Sequence, residues 1–579
     1  MHEKDLLQFG LIIGLGIGAQ WLGWRLRLPA ILFLLAFGLG AGPVFGIVNP
    51  DQLFGHALMP VVSVSVALIL FEGGLTLRLS EVPAIGRALW LLVTVGAAVT
   101  WGLTYLLARL FLPLDFGGAL LLAAILVVTG PTVIGPLIRH IRPSGRTGPI
   151  LKWEGILIDP IGAVLAVLVF EGLLAGQAAA PEVVIWGIVQ TVLIGVVLSV
   201  AGAALLIFMM RYYLVPEHLE APVTLAVVVC TFVLSNLMQA ESGLLTVTLL
   251  GMILANQRIV GVRHVVAFKE NLRVLLLSSL FILLAARLDL EMLALDDWRR
   301  WAFLAGLFLL VRPAAVLAST WGSRLRWNDR AFLAWVAPRG IVAAAISSVF
   351  AGRLAEEGFE GAEELVSVTF LVVTATVFVY GLSAGVVARL VGVAQPNPQG
   401  CVLIGAHPLA QRLAEVLQAE RFRVLLVDSH WNNVTAARQA GLNAEYGDAL
   451  GENLLNEIDL NGMGRLLALT PNHQVNSLVA LHFAEVFGRT EVYQLASTQQ
   501  AQQTQGADGT VPRHLRGRTL FGRAITYHDL AERIAAGGDI KVTKLSREFD
   551  YQAFTRTYGD DALPLFVIKG AGRLHVMTA

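Results

Sequence analysis

Between residues 7 and 391 the chain strings together thirteen predominantly apolar stretches, and that pattern dominates what it can fold into. A membrane-spanning helix needs roughly 20 mainly apolar residues. The stretches fall at about 7–24, 29–47, 56–77, 88–112, 117–138, 150–171, 183–210, 220–239, 243–256, 273–288, 301–321, 331–352 and 365–391. They predict an all-α polytopic membrane domain of 13 transmembrane helices. The first stretch opens MHEKDLLQFG and runs straight into the second, so it reads as a retained helix and not a cleaved signal peptide. Charge follows the same division: roughly 12% of residues are charged before residue 400 and roughly 20% beyond, against roughly 25% in an ordinary soluble protein. Net charge is +0, which removes any bulk electrostatic case for a nucleic-acid partner. Cys230 and Cys401 lie too far apart in sequence to suggest a disulfide framework or a cysteine metal site.

Basic residues orient the spans. The loops after the odd-numbered spans hold fifteen of them, from Arg25 and Arg27 through Arg139, Arg142 and Arg146 to Arg324, Arg326 and Arg330. The alternate loops hold only Arg287, Arg299, Arg300 and Arg353. The N-terminus is therefore expected outside and the C-terminal portion in the cytoplasm. Residues 392–400, with Pro396 and Pro398, read as a linker between a membrane domain at 1–391 and a soluble part. In 401–500, CVLIGA, RVLLVD and LLALT alternate with amphipathic helices, the pattern of a parallel α/β sheet. Residues 501–579 read as a small β-rich extension, with IKVTKLSREF and LPLFVIKGAGRLHVM as its strands.

Ionisable residues inside spans are costly, so each is a candidate functional group. Arg287 and Glu171 lie near span ends, where long side chains reach the interface, and Arg312, before Pro313, reads as structural. Glu72, Glu154, Asp159 and Arg339 resist that account. Asp159 sits mid-span in LKWEGILIDPIGAVLA, before Pro160, whose missing N–H frees the Ile156 carbonyl. A carboxylate beside a freed carbonyl is an oxygen site suited to a hard monovalent cation. Burial strips a lone carboxylate of its solvation, so protons and cations compete to neutralise it. Glu154 lies about 140° round the helix from Asp159 and so does a different job. A buried Glu wants a buried Arg, and Arg339, mid-span in FLAWVAPRGIVAAAI, is the best-placed candidate for a structural ion pair. Helix breakers recur at Gly130-Pro131, Gly135-Pro136 and Pro338-Arg339-Gly340. If spans 1–6 repeat, inverted, as spans 8–13, these are corresponding positions, and two interrupted helices cross where a transporter binds its ion.

At these residues the membrane part, over about 5–391, resembles the cation:proton antiporters of the NhaP and eukaryotic Na⁺/H⁺-exchanger type. LILFEGGLTL is similar to that family's third span, VVTGPTVIGPLI to its unwound helix, LKWEGILIDPIGAVLA to its ion-binding span, APRGIVAAAI to its G-P-R-G helix, and ESGLLTVTLLGMILAN to its S-G-x-L-A stretch. The resemblance implies a homodimer in the lipid bilayer whose six-helix core moves between inward and outward states. It implies that Asp159 binds the ion and the proton, that Glu154 and Arg339 form the ion pair, and that Glu72 and Thr129 lie near the ion. The chain departs from the family at Gly130, Gly155 and Ile158, where polar residues are usual.

The soluble part resembles an RCK, or TrkA-N, nucleotide-binding domain. Its glycine fingerprint reads Gly405-Ala406-His407-Pro408-Leu409-Ala410, with His407 in place of the middle glycine, and Asp428 ends the second strand where a ribose is normally held. Gly447-Asp448 and the segment Thr470 to Ser477 are similar to later strand ends of that domain. Gly405, Ala410, Asp428 and Asp448 are thereby expected to hold a regulatory nucleotide such as NAD(H), AMP or ATP, with no cofactor for transport itself. The function expected is not enzymatic: exchange of Na⁺ or K⁺ for H⁺ across a bacterial-type inner membrane. Ile158 puts no second carboxylate beside Asp159, so exchange is expected to be electroneutral. The alternatives are an RCK-regulated cation channel, which the absence of a T-V-G-Y-G filter disfavours, and a non-transporting nucleotide sensor.

Overall fold

A computed structural model describes residues 3–578 apart from 27, 142, 144, 175–180, 258, 262, 289–296, 324, 357–361, 395–397, 452–453, 455–457, 459, 461, 497–516, 522–524, 560–561 and 571. The chain divides into two compact units, Met1–Ala394 and Gln395–Ala579.

Among the described residues of the first unit, 8 helices are long and apolar enough to cross a membrane: Glu3–Leu26, Pro50–Leu75, Ile85–Phe111, Thr147–Leu173, Trp186–Arg211, Glu217–Met238, Trp298–Thr320 and Glu364–Leu390. Shorter apolar helices lie at Ala30–Val44, Phe116–Ile125, Ser242–Asn256, Leu272–Ala286 and Val342–Leu354. The unit is a multi-pass membrane bundle. Small residues bring its helices into backbone contact, as close packing in lipid requires. Between α1 (Leu58–Leu75) and the helix Ser242–Asn256, a Cβ on Gly74 would lie 2.4 Å from the Thr248 carbonyl oxygen, and one on Gly251 2.3 Å from that of Phe71.

Two of the expected spans are broken. α2 (Phe116–Ile125) starts where the Asp115 carboxylate accepts the Gly118 N–H at 2.7 Å, and it ends before residues 126–130. α3 (Pro131–Ile141) resumes with proline in its first turn, where a missing N–H costs nothing. α4 (Thr147–Leu174) follows and continues unbroken through Pro160. Beyond α5 (Arg263–Ala286) and α6 (Arg312–Thr320), the second interruption separates α7 (Trp327–Trp335) from α8 (Ile341–Glu356) across residues 336–340, and α9 (Ala362–Leu390) completes the unit. Both breaks coincide with the Gly-Pro and Pro-Arg-Gly motifs.

The second unit is built on six parallel strands, β1 (Gly400–Ile404), β2 (Val424–Asp428), β3 (Ala444–Tyr446), β4 (Met463–Ala468), β5 (Val492–Gln494) and β6 (Arg518–Thr519). Their order is β3-β2-β1-β4-β5-β6, the doubly wound arrangement whose order reverses between β1 and β4. Helices α10 (Pro408–Ala419), α11 (Trp431–Gln439) and α12 (His473–Phe487) make the crossovers. The α/β reading is thereby met.

Two details after residue 500 differ from expectation. Residues 540–549 form no strand: Val542 and Leu545 are exposed, and no neighbouring strand among the described residues pairs with them. Strand alternation alone does not supply a partner. Among its described residues the region is mixed and not only β. It contributes β6 to the main sheet, two helices, α13 (Tyr527–Ala535) and α14 (Tyr551–Tyr558), and the hairpin β7 (Phe566–Lys569) and β8 (Arg573–Val576). Leu520, Phe521, Leu530 and Leu574 pack into the same core as Leu403 and Leu413.

Candidate functional site

The two helix breaks meet at a pair of glycines. The Gly130 N–H donates to the Pro338 carbonyl at 2.9 Å. A Cβ on Gly130 would lie 2.4 Å from the Gly340 Cα, and one on Gly340 2.4 Å from the Gly130 Cα. No side chain fits between them. This accounts for one departure from the family pattern: a carboxylate at position 130 has no room in this crossing.

Breaking a helix frees the carbonyls of its last turn, and each break here has an arginine for them. Arg339 donates from Nη1 to the carbonyls of Val127 and Val128, each at 3.1 Å, just beyond the end of α2. Arg312 donates from Nε to the Leu333 carbonyl at 2.9 Å, in the last turn of α7. Both arginines are buried. A cation at a helix C-terminus also offsets the negative end of the dipole. The backbone N–H of Arg339 is held by the Thr376 hydroxyl of α9 at 3.1 Å.

Asp159 sits against the first break. Gly155, Asp159 and Gly162 fall at i, i+4 and i+7 on α4 and therefore share one face. A Cβ on Gly162 would lie 2.4 Å from Val128 Cγ2, and one on Gly155 2.8 Å from Ile134 Cδ1 and 3.5 Å from the Pro131 Cα. The two glycines admit the broken segment, and the carboxylate lies between them on the same face. Asp159 is 0% exposed, and neither of its oxygens has a hydrogen-bond partner among the described residues; the Thr129 hydroxyl is buried in the same condition. Native proteins rarely bury such atoms without a use for them. Two carboxylate oxygens and a hydroxyl beside an unwound backbone are a donor set for a proton or a monovalent cation.

The expected partner of Glu154 is corrected. Its carboxylate is held by both terminal guanidinium nitrogens of Arg312, with the Nη2–Oε2 contact at 3.0 Å, and not by Arg339. Arg339 is spent on carbonyls of the opposite break. Arg312, which the sequence marks as structural by its place before Pro313, takes that structural role as the partner of Glu154.

Glu72 is also placed differently from expectation. Its carboxylate lies 3.2 Å from Arg273 Nη1, in a pocket lined by Leu68, Ala221, Thr224 and Leu276 among others, and no α4 or break residue lines that pocket. The neighbouring Gly73 is what faces α4, against Ile156, so Glu72 is turned about 100° away. Asp159 thus lies on the α4 face that packs against the break containing Thr129, whereas Glu72 is paired with Arg273 in a separate pocket.

In the second unit the candidate nucleotide residues lie at the carboxyl ends of β1, β2 and β3. Gly405 has φ +106, a conformation open to glycine, which turns the chain from β1 towards α10. The Asp428 carboxylate accepts the Ala406 N–H at 2.7 Å, the His430 N–H at 2.9 Å and the Asn433 amide at 2.9 Å. Burial pushes this carboxyl up, but those donors outweigh it and hold it below the usual range. The Ala410 N–H is taken by His407 Nδ1 at 3.3 Å. Asp448 is exposed and accepts the Leu450 N–H at 2.9 Å. A pyrophosphate needs the free N–H groups of a loop and helix start. Here those of Ala406 and Ala410 are already engaged, so the crevice as arranged does not fit one.

Fold and site thus define a multi-pass helical unit with two interrupted helices, followed in the chain by a doubly wound α/β unit. The model of the sodium/hydrogen exchanger transmembrane family matches residues 11–390, and that of the TrkA-N domain matches 401–508. The chain belongs to the sodium/hydrogen exchanger family, a family of transporters, and carries a TrkA-N domain. It is 28% identical over 384 residues to the K(+)/H(+) antiporter NhaP2 of Shewanella oneidensis, an alignment that spans 64% of each chain. It is 28% identical over 408 residues, 68% of each chain, to the K(+)/H(+) antiporter NhaP of Alkalimonas amylolytica. The solved structure of the sodium proton antiporter MjNhaP1 from Methanocaldococcus jannaschii shares the fold: TM-score 0.57 at 21% identity, over 67% of this chain and 99% of that one.

Proposed function

We propose that the protein exchanges a monovalent cation for protons, with Asp159 as the group that carries each in turn. The observation that carries this is the pair of fully buried Asp159 oxygens, without a partner among the described residues, set against a helix break. Thr129 is the neighbouring ligand. The Glu154–Arg312 pair and Arg339 hold the two broken helices in register so that this face of α4 stays open to them. The cation is read as K⁺. Positions 130, 155 and 158 have lost polar side chains, which suits the more easily dehydrated ion, and the bacterial relatives above are described as K(+)/H(+) antiporters. Exchange is read as electroneutral, one for one, because Ile158 leaves Asp159 the lone carboxylate of its helix turn. A channel or a non-transporting sensor gives no reason for a buried, protonatable carboxylate at a helix crossing.

In this reading the five shorter apolar helices cross the membrane with the eight long ones, as thirteen spans of an inverted repeat. The N-terminus lies outside and the soluble unit in the cytoplasm of a bacterial-type inner membrane, and the protein works as a homodimer. The TrkA-N domain regulates exchange, with NAD(H), AMP or ATP as the nucleotides to test.

The test is antiport in proteoliposomes, read as cation-driven collapse of an imposed pH gradient with K⁺ and Na⁺ in turn. Asp159→Asn is expected to abolish it. Undiminished exchange in that variant overturns the assignment.

A further inference from the structure

His407 stands where the nucleotide fingerprint has its middle glycine, and its ring spans the crevice between β1 and β4, where the sheet order reverses. Nε2 lies 2.8 Å from the Leu469 carbonyl, which can only accept, so Nε2 carries the hydrogen. That leaves the Nδ1 lone pair to accept the Ala410 N–H at the start of α10. The ring also lies over Gly405, whose Cβ would come 3.1 Å from both Cδ2 and Nε2. From outside, Tyr527 of α13 meets it edge-on, with centroids 4.8 Å apart at 81°. His407 therefore fills the space and engages the helix-start N–H that a pyrophosphate would use.

We propose that His407 is a proton-operated latch on the nucleotide crevice, shut when the imidazole is neutral and released when it is protonated. This rests on the reading that the TrkA-N domain takes a nucleotide. The chemistry is a single proton from solvent added to Nδ1. Once there, that proton points at the Ala410 N–H, two donors face each other, and the cap bond is lost. The imidazolium then gains by leaving for water, or by meeting an anion. The groups around it that carry or can take a charge, among the described residues, are Asp428 at the end of β2, His430 paired with that carboxylate at 3.2 Å, and the Tyr527 hydroxyl.

Burial holds the shut imidazole below its ordinary value, against the opposing pull of the Leu469 carbonyl and the Asp428 charge. The sign follows. The shut form is favoured above about pH 6.5, and the open form gains up to about tenfold per pH unit below it. Acid therefore unlocks the site.

The test is equilibrium binding of radiolabelled NAD⁺, whose pyrophosphate does not titrate in this range, to the full-length protein in detergent. Wild type and His407→Gly are compared at about pH 7.5 and about pH 5.5. The expected result is a wild-type affinity that rises about tenfold on acidification, and a variant that binds at least as tightly at both values. Equal, pH-independent affinities in the two proteins overturn the latch while leaving nucleotide binding intact. Binding by the variant with none by acidified wild type overturns the protonation trigger. No binding by either protein, with AMP and ATP failing too, overturns the nucleotide reading itself. Adding Asp428→Ala to His407→Gly is expected to remove binding, and its survival would place the ligand outside this crevice.

Discussion

Arg312 and Arg339 do the same electrostatic work at opposite breaks, but among the described residues only Arg312 has a carboxylate to share. Its bond to the Leu333 carbonyl and its double contact with Glu154 tie α4, α6 and α7 together at one buried point. Removing one partner of a buried pair strands the other and costs about 3–5 kcal/mol. Glu154→Gln and Arg312→Gln are each expected to lower thermal stability in detergent by that order. Combined, they should lose clearly less than the sum of the two, whereas Glu154→Gln with Arg339→Gln should be close to additive. Coupling to Arg339 instead would contradict the pairing. At Asp428 the prediction concerns acid. A carboxyl held below its usual value adds stability above about pH 3.9, and that contribution fades as pH falls through the depressed value. Thermal melts are expected to separate wild type from Asp428→Asn above about pH 4 and to converge below it.

At the scale of elements, the crossing of the two breaks is set by glycine more than by proline. Pro131 and Pro338 explain why helices stop and start there. Gly130 and Gly340 explain why the two unwound segments lie in contact. Gly340→Ala puts a methyl group where the Gly130 backbone already is, so the segments must part. The loss of the Gly130–Pro338 hydrogen bond and of packing beside it is expected to cost about 1–3 kcal/mol. Antiport should fall with it, because Val128 and Thr129 then move relative to Asp159. A Gly340→Ala protein with wild-type melting and wild-type exchange would show that the contact is dispensable. Glycine has a second use on α4, where Gly155 and Gly162 bracket Asp159. The polar residue expected at position 155 from the family resemblance gives way here to close approach of the break.

For the whole molecule, the prediction is about charge movement. In the proposed exchange, with Asp159 the one carboxylate of its helix turn, a cycle would carry one cation one way and one proton the other. The exchange rate in proteoliposomes is expected not to change when a potassium-independent membrane potential is imposed at fixed pH gradient. A rate that follows the potential would require a second titrating group. The Glu72–Arg273 cluster, lying apart from Asp159, would then be the first place to look.

The thirteen apolar stretches, the change in character near residue 400, the positions of both helix breaks and the mid-span place of Asp159 were all legible in the chain. Each is a local property: a window of hydropathy, a Gly-Pro or Pro-Arg-Gly run, one charge mid-span. The β1–α10–β2 series was legible for the same reason, since strand and helix periods are written in consecutive residues. What the tertiary structure decided is pairing. Arg312 and Arg339 are both buried arginines beside prolines, and local sequence says nothing of which one meets a glutamate on α4 some 150 or more residues away. Glu72 and Gly73 differ by one residue, and only the packed helix shows which of them faces the site. Residues 540–549 have the alternation of a strand and no partner among the described residues to pair with. His407 could be read as an obstruction, but its two hydrogen bonds depend on Leu469, which arrives from another strand of the sheet. Local patterning fixes elements, and contacts between residues far apart in sequence fix which charges neutralise one another and which stay unpaired.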